Sequence, residues 1–195
     1  MVYNPAMKEF LYLYPIHKFA GSIIGSRWSN PAERTNIYRR LNEIISYRYR
    51  ENGYQINWLM FNNFYDHSKP DLTLASQELI APEDKLILAG ITFDDLVLRK
   101  TYADPAVILT QINSSPEQLV ITGFHLWDCV DKIAEKAYHA GISTIVDEDL
   151  TELYFWAYYS SKPILLERQT KLNIPPNLVE YTRSRRVNKP WLIQV

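Results

Sequence analysis

Cysteine is almost missing from this sequence: Cys129 is the only one among 195 residues. A single thiol cannot close an internal disulfide, so the stapled framework of a small secreted domain is excluded and a reducing, cytoplasmic setting is expected. An excess of one charge is missing too. Lys and Arg number 21 against 22 Asp and Glu, a net charge of −1, which argues against a dedicated nucleic-acid binder. No apolar run approaches the ~20 residues that a membrane-spanning helix needs. The opening stretch MVYNPAMKEFLYLYPIHKF has Pro5 and Glu9 ahead of a short apolar run, where a signal peptide would have a basic start and a long apolar centre. Internal repeats and low-complexity tracts are absent as well. What is present is a chain that is 47% hydrophobic, enough for one substantial core.

The apolar residues fall into short runs that alternate with helical patterns. EFLYLYPI (9–16) reads as a first buried strand ended by Pro15, and a Gly/Ser loop follows it through Ser29. Asn30, Pro31 and Glu33 then mark a helix start, and Ile37, Leu41, Ile44 and Ile45 form one apolar stripe. Gly53 supplies a left-handed stop. YQINWLMF (54–61) is a second strand, and NNFYDHSKPDLTLASQ a long polar loop. KLIL (85–88) and DLVLRK (95–100) read as short strands, and Asp104-Pro105 opens a helix over 104–112. A strand over 119–122, a helix from about 128 to 140, Gly141 as its stop and a strand over 143–146 come next. The chain then predicts a helix over 151–161 and a last strand over 162–167. Repeated β-α-β order with strands that do not alternate polar and apolar predicts an α/β fold, a mainly parallel sheet covered by helices on both faces. Residues 1–167 form that domain. The extension 168–195 carries six cations against one anion, and is expected to pack on the domain or on a partner subunit.

Sites in open parallel sheets form where strands give way to helices. Cys129 lies at such a turn, Lys100 ends the 95–100 strand, and Asp147, Glu148 and Asp149 follow the 143–146 strand. Unpaired N–H groups and the positive end of a helix dipole stabilise a thiolate and the oxyanion formed when it attacks a carbonyl. The bland alternative is equally concrete: a lone cysteine in an α/β core is commonly a small buried hydrophobe. Asp147, Glu148 and Asp149 are read as loop-fixing residues rather than chemical ones.

LVITGFHLWDCVDKIAEKAYHAGISTIVDEDLT resembles the signature of the isochorismatase-like cysteine hydrolases, the superfamily that includes nicotinamidases and N-carbamoylsarcosine amidases. Thr122-Gly123, Cys129-Val130, Ala134, Ala137, Gly141 and Glu148-Asp149 carry the likeness, and Arg99-Lys100 matches the Arg-Lys upstream. The resemblance covers roughly 9–160 and implies a three-layer α/β/α sandwich. It also implies a Cys-Lys-Asp triad that cleaves C–N bonds of small amides, with Cys129 as nucleophile and Lys100 supporting it. The family's cis peptide upstream of the cysteine falls, by position, between His125 and Leu126. His125, Leu126 and Asp128 would then shape the oxyanion turn, and Phe124, Trp127 and Tyr102 the pocket. His125 next to Trp127 either meets a substrate or packs as an ordinary turn histidine.

The chain departs from the family at the triad aspartate, whose place falls on Pro15, with His17 at a neighbouring glutamine position. No Asp or Glu stands between Phe10 and Pro31. His17 is the one candidate replacement base, with an imidazole pKa suited to the task. The Ser/Ala-Phe that follows the family's lysine is replaced by YADPAV. In the loop after the second strand Asp66 and His67 are adjacent, and neighbours on an extended chain point apart, so no metal and no other cofactor is expected. His67 and His139 read as surface residues. The dense aromatic run LYFWAYY (153–159) suits a core or a subunit interface, so a homo-oligomer is expected, with a small-molecule ligand and no membrane partner. Two function classes remain: a divergent cysteine hydrolase of a small-molecule C–N bond, or a catalytically inactive relative that keeps the scaffold to bind a ligand or protein.

Overall fold

The structure, a computed structural model, describes residues 7–15, 31–72, 79–112, 116–151, 180 and 183–192, with the side chains of the first helix described from Tyr38 on. Five strands form one sheet: β1 (Lys8–Leu13), β2 (Tyr54–Met60), β3 (Lys85–Leu88), β4 (Gln118–Gly123) and β5 (Thr144–Val146). The helices are α1 (Pro31–Arg48), α2 (Phe93–Arg99), α3 (Pro105–Gln111) and α4 (Asp131–His139). The strand order is β3-β2-β1-β4-β5 and every pairing is parallel. Right-handed crossovers that leave β1 toward β2 and β4 toward β5 run in opposite directions, and so place α1 on one face and α4 on the other. This is the parallel sheet covered on both faces that the runs predict, and the three-layer α/β/α sandwich that the resemblance implies.

Apolar residues fill both faces of the middle strands. Phe10, Leu11 and Leu13 of β1, Trp58 and Leu59 of β2, and Leu119 and Ile121 of β4 are all fully buried, as are Leu41, Ile44 and Ile45 on α1. Each contributes about 2 kcal/mol of burial. Asn30 and Ile37 lie outside the residues and side chains described, as do the strand expected over 162–167 and, beyond Thr151, the helix expected over 151–161; Pro31 is the first residue of α1 as its fixed φ suits. Asp104 caps α3 by accepting from the Ala106 N–H at 2.8 Å.

One element is corrected. Residues 95–100 belong to helix α2 and its cap, not to a strand. Thr92 accepts from the Asp95 N–H at 3.2 Å while the Asp95 carboxylate accepts from the Thr92 N–H at 2.9 Å, a complete capping box that starts α2. Arg99 also pairs with Asp95 one turn back at 2.7 Å. The alternation of Leu and Val outweighed that Thr-x-x-Asp signal in the sequence reading.

The acids after β5 hold the chain in place, through buried cations more than through backbone N–H groups; Asp147 alone accepts one, from Asp149 at 3.2 Å, among the bonds described. Asp147, Glu148 and Asp149 are buried, and Arg48 reaches Asp147 at 3.3 Å and Asp149 at 3.2 Å. Tyr49 donates to Asp147 as well. Glu148 takes a two-pronged pair from Arg186 at 2.7 and 2.8 Å. Around it the 183–192 segment packs on the sheet edge: the Val146 N–H donates to the Trp191 carbonyl at 2.9 Å, and Trp191 Nε1 donates to Asp131 at 2.9 Å.

Two stability changes follow. Gly123 has φ +107°, and a Cβ there would stand 2.3 Å from the Leu13 carbonyl oxygen, so Gly123→Ala is expected to lower stability by about 2–4 kcal/mol. A urea midpoint unchanged by the substitution would contradict the contact. Arg186→Met removes the guanidinium from a buried carboxylate and is expected to cost about 3–5 kcal/mol, whereas Arg186→Met with Glu148→Leu recovers most of the loss; chemical denaturation of the three proteins checks it.

Candidate functional site

Strand order reverses between β1 and β4, because the chain leaves β1 toward β2 on one side and later returns to build β4 on the other. In sheets of this kind ligands sit in the crevice at that reversal, beyond the carboxyl ends of the strands. The ends of β1 and β4 touch here. Leu13 is paired with Gly123, and its carbonyl accepts from the Phe124 N–H at 3.2 Å. Thr122, fully buried, donates from its hydroxyl to the Asp147 carbonyl at 2.9 Å and so ties β4 to the end of β5.

From this junction the chain makes a π-helical turn over Leu126–Val130 that leads directly into α4. The His125 carbonyl accepts from the Asp128 N–H at 3.1 Å and the Val130 N–H at 3.0 Å. Cys129 is on this turn, at the head of α4, and is only 4% exposed. It lines a cavity with Tyr14, Tyr102, Ala103, Pro105, Lys132 and Ile133. About 10 Å³ of that cavity is open to the centre of a water molecule, room for a single water.

The sequence-derived residues separate into those at this cavity and those elsewhere. Cys129 and Tyr102 line it. Phe124 and Leu126 are buried in the core beside the turn, while His125, Trp127 and Asp128 are half-buried along it. The cis peptide bond joins Phe124 and His125, one residue before the expected His125–Leu126 position. Lys100 does not end a strand: it caps α2 in the left-handed conformation (φ +54°), is exposed, and is not among the residues lining the cavity. Pro15 is buried at the end of β1. His17 lies outside the described residues.

Two residues that the sequence reading did not single out stand beside the sulfur. Lys132 follows Cys129 by three positions and Asp128 by four, the spacing that puts side chains on one helix face. Its ammonium pairs with Asp128 at 2.5 Å and lies 3.7 Å from the centre of the Tyr102 ring. The hydrogen bond to Asp128 holds Lys132 above the usual lysine range, helped by the nearby charges of Asp128, Tyr102 and Cys129. Tyr102 is raised first by its own hydrogen bond to Asp128. Tyr14, the residue just before Pro15, had no sequence signal. It is 1% exposed, takes φ +55°, and stacks on Phe61 with ring centres 4.1 Å apart and planes 7° from parallel. Burial pushes its phenol well above 10, and the charges of Cys129 and Asp128 push it further.

Trp127 faces the other way, toward the 183–192 segment. Arg185, Arg186 and Lys189 each place their charge 5.8 to 6.0 Å from its ring centre. Lys189 also pairs with Asp131, on the first turn of α4. The segment therefore braces the turn that carries Cys129.

No family model matches the sequence, and no curated protein matches it. Among solved structures, the pyrazinamidase of Pyrococcus horikoshii in complex with zinc superposes with a TM-score of 0.51 at 16% identity, over 98% of this chain and 100% of that one. An isochorismatase-like hydrolase from Alkaliphilus metalliredigens gives 0.49 at 16% identity over 96% and 93% of the two chains. The yeast nicotinamidase Pnc1p gives 0.49 at 13% identity over 92% and 95%. The pyrazinamidase holds zinc; among the described residues of this chain no group of three His, Cys, Asp or Glu side chains is arranged to hold a metal ion. Asp66 is instead taken up by Lys69 at 2.8 Å and Ser68 at 2.6 Å. Among the described residues no helix is long and apolar enough to cross a membrane.

One titration tests the turn. Burial lowers the His125 pKa below the 6.5 of a free imidazole, with the Asp128 charge opposing. The folded state thus prefers neutral His125, and the unfolded state binds more protons in the interval below pH 6.5. Stability contributed by His125 is intact above pH 6.5, falls as the pH drops toward the folded pKa, and levels off below it. An NMR midpoint for His125 at or above 6.5 would refute this placement. Cys129, Gly123 and the strand reversal lie on the α/β sandwich of the isochorismatase-like hydrolases, and that is the fold of this chain.

Proposed function

We propose that this chain is a non-hydrolytic relative of the isochorismatase-like hydrolases, one that keeps the sandwich and its cysteine turn to hold a small molecule or a partner rather than to cleave a C–N bond. One observation carries the reading: the residue that β1 delivers to the sulfur is Tyr14, a buried phenol held well above pH 10. Attack by a thiol on an amide needs a group that takes the proton from sulfur and returns it to the leaving nitrogen. A phenol that stays protonated at neutral pH cannot take the proton from sulfur. Lys100 is exposed at the α2 cap, and the ammonium that lines the cavity of Cys129 is that of Lys132, already shared with Asp128. A homo-oligomeric, cytoplasmic protein belongs to the same reading, since a lone thiol stays free in a reducing compartment.

Divergent hydrolysis is the second reading, and Lys132 is what favours it. An ammonium close enough for its charge to be felt by the thiolate would help to form the nucleophile at the head of α4. The two part in a simple assay. The protein and its Cys129→Ala variant are given nicotinamide, pyrazinamide and N-carbamoylsarcosine, and ammonia release is followed. Release by the two proteins is expected to be the same, at least about a thousandfold below the ~10 s⁻¹ of a typical enzyme. Turnover that disappears with Cys129 would overturn the proposal and establish the hydrolase.

A further inference from the structure

The 183–192 segment carries Arg183, Arg185, Arg186 and Lys189 and no acid. Two of those cations hold it to the domain: Arg186 forks onto Glu148, and Lys189 pairs with Asp131, which also accepts from Trp191. Glu148 and Asp131 are thereby used. Arg183 and Arg185 are exposed, and no acid pairs with either among the described residues. Arg185 is nonetheless not spread into solvent. Its guanidinium lies over the Trp127 ring at 5.9 Å, beside Arg186 at 6.0 Å and Lys189 at 5.8 Å. Like charges gathered this closely repel one another. Trp127 adds a further donor, because its Nε1–H is buried and meets no acceptor among the described residues. Buried N–H groups are nearly always paired, with the protein or with something bound to it.

We propose that Trp127, Arg185 and Lys189 form a binding site for a phosphate monoester, on the side of the cysteine turn that faces the 183–192 segment. An indole N–H, a guanidinium and an ammonium offer donors and no acceptor, so the ligand is one that only accepts. The excess of charge sets its valence. Four cations of the segment meet two acids, and a phosphate monoester, close to −2 at neutral pH, makes up the difference where a carboxylate leaves half of it. The planar fork of Arg185 matches two phosphate oxygens, and Lys189 keeps Asp131 while turning a second N–H to the ligand. Because Arg185 is exposed, the indole N–H is reached when that side chain lifts from the ring. Two sources carry this group, a small phosphate ester and a phosphorylated segment of another chain. The site stands apart from the cavity of Cys129, and the inference does not depend on whether that thiol cleaves anything.

The test follows the Trp127 indole N–H by proton–nitrogen NMR of the full chain, its resonance among those of the five tryptophans identified by its loss in Trp127→Phe. Phosphoserine is expected to shift that resonance downfield to saturation, as an N–H does on gaining an anionic acceptor. Acetate at matched ionic strength is expected not to saturate it. Arg185→Gln should weaken phosphoserine binding at least about tenfold. Lys69→Gln, which removes an exposed cation from the loop after β2, should leave the affinity within about twofold. A pentapeptide with phosphoserine at its centre separates the sources: tighter binding than phosphoserine identifies a phosphorylated chain, and comparable binding a small ester. The proposal is overturned if phosphoserine leaves the Trp127 resonance where it is, if acetate saturates it with equal affinity, or if Lys69→Gln weakens binding as much as Arg185→Gln. Should Arg185→Gln not fold, Arg185→Lys keeps the charge and loses the fork. That variant should weaken binding at least about threefold, and an unchanged affinity there overturns the proposal as well.

Discussion

The close contact between the ends of β1 and β4 is the constraint on which the rest of this molecule depends. Gly123 presses against the Leu13 carbonyl at a distance no side chain would permit, and the Phe124 N–H closes the same corner. Only because the two strands meet so tightly does the residue after Leu13 arrive beside the turn after Gly123. Tyr14 and Cys129 are 115 positions apart in the chain, yet one backbone contact makes them neighbours. A wider gap at this corner would separate them and leave the crevice open.

The surroundings of that corner are held by buried charge rather than by apolar packing alone. Asp147, Glu148 and Asp149 leave β5 together, and each finds a cationic partner from a distant segment: Arg48 of α1 for the two aspartates, Arg186 for the glutamate. Charges taken out of water are costly unless their geometry is met, so such pairs specify which segments come together more than they add stability. The 183–192 segment uses this specificity to brace α4 through Asp131 and the cysteine turn through Trp127. The acids thus work as structure, and the chemistry of the site is left to the few groups around the sulfur.

Those groups share one electrostatic constraint. In a poorly solvated crevice an ionised group must be compensated, and the only carboxylate at this cysteine turn is already engaged by Lys132 and Tyr102. Burial, together with the charges of Cys129 and Asp128, favours the protonated form of Tyr14. A neutral ring stacked on Phe61 is the low-energy way to fill such a space.

The sequence by itself determined whatever depends on near neighbours along the chain. The strand runs, the stripe on α1, the Asp104 cap, the left-handed Gly53 and the helix that starts near Cys129 were all legible, because capping and periodicity act within a turn or two. The Thr-Gly and Cys-Val spacing carried the fold. It also misled: DLVLRK, read as strand, follows a capping box that Thr92 and Asp95 form, and Lys100 went with it to the surface. Lys132 was open to discovery from its helical spacing to Asp128. Only tertiary structure decided that Tyr14 rather than Pro15 meets the sulfur, that the cis bond precedes His125, and which arginine neutralises which buried acid. Those outcomes turn on strand order and on the angle at which the chain leaves β1, and neither leaves a periodic trace in the residues themselves.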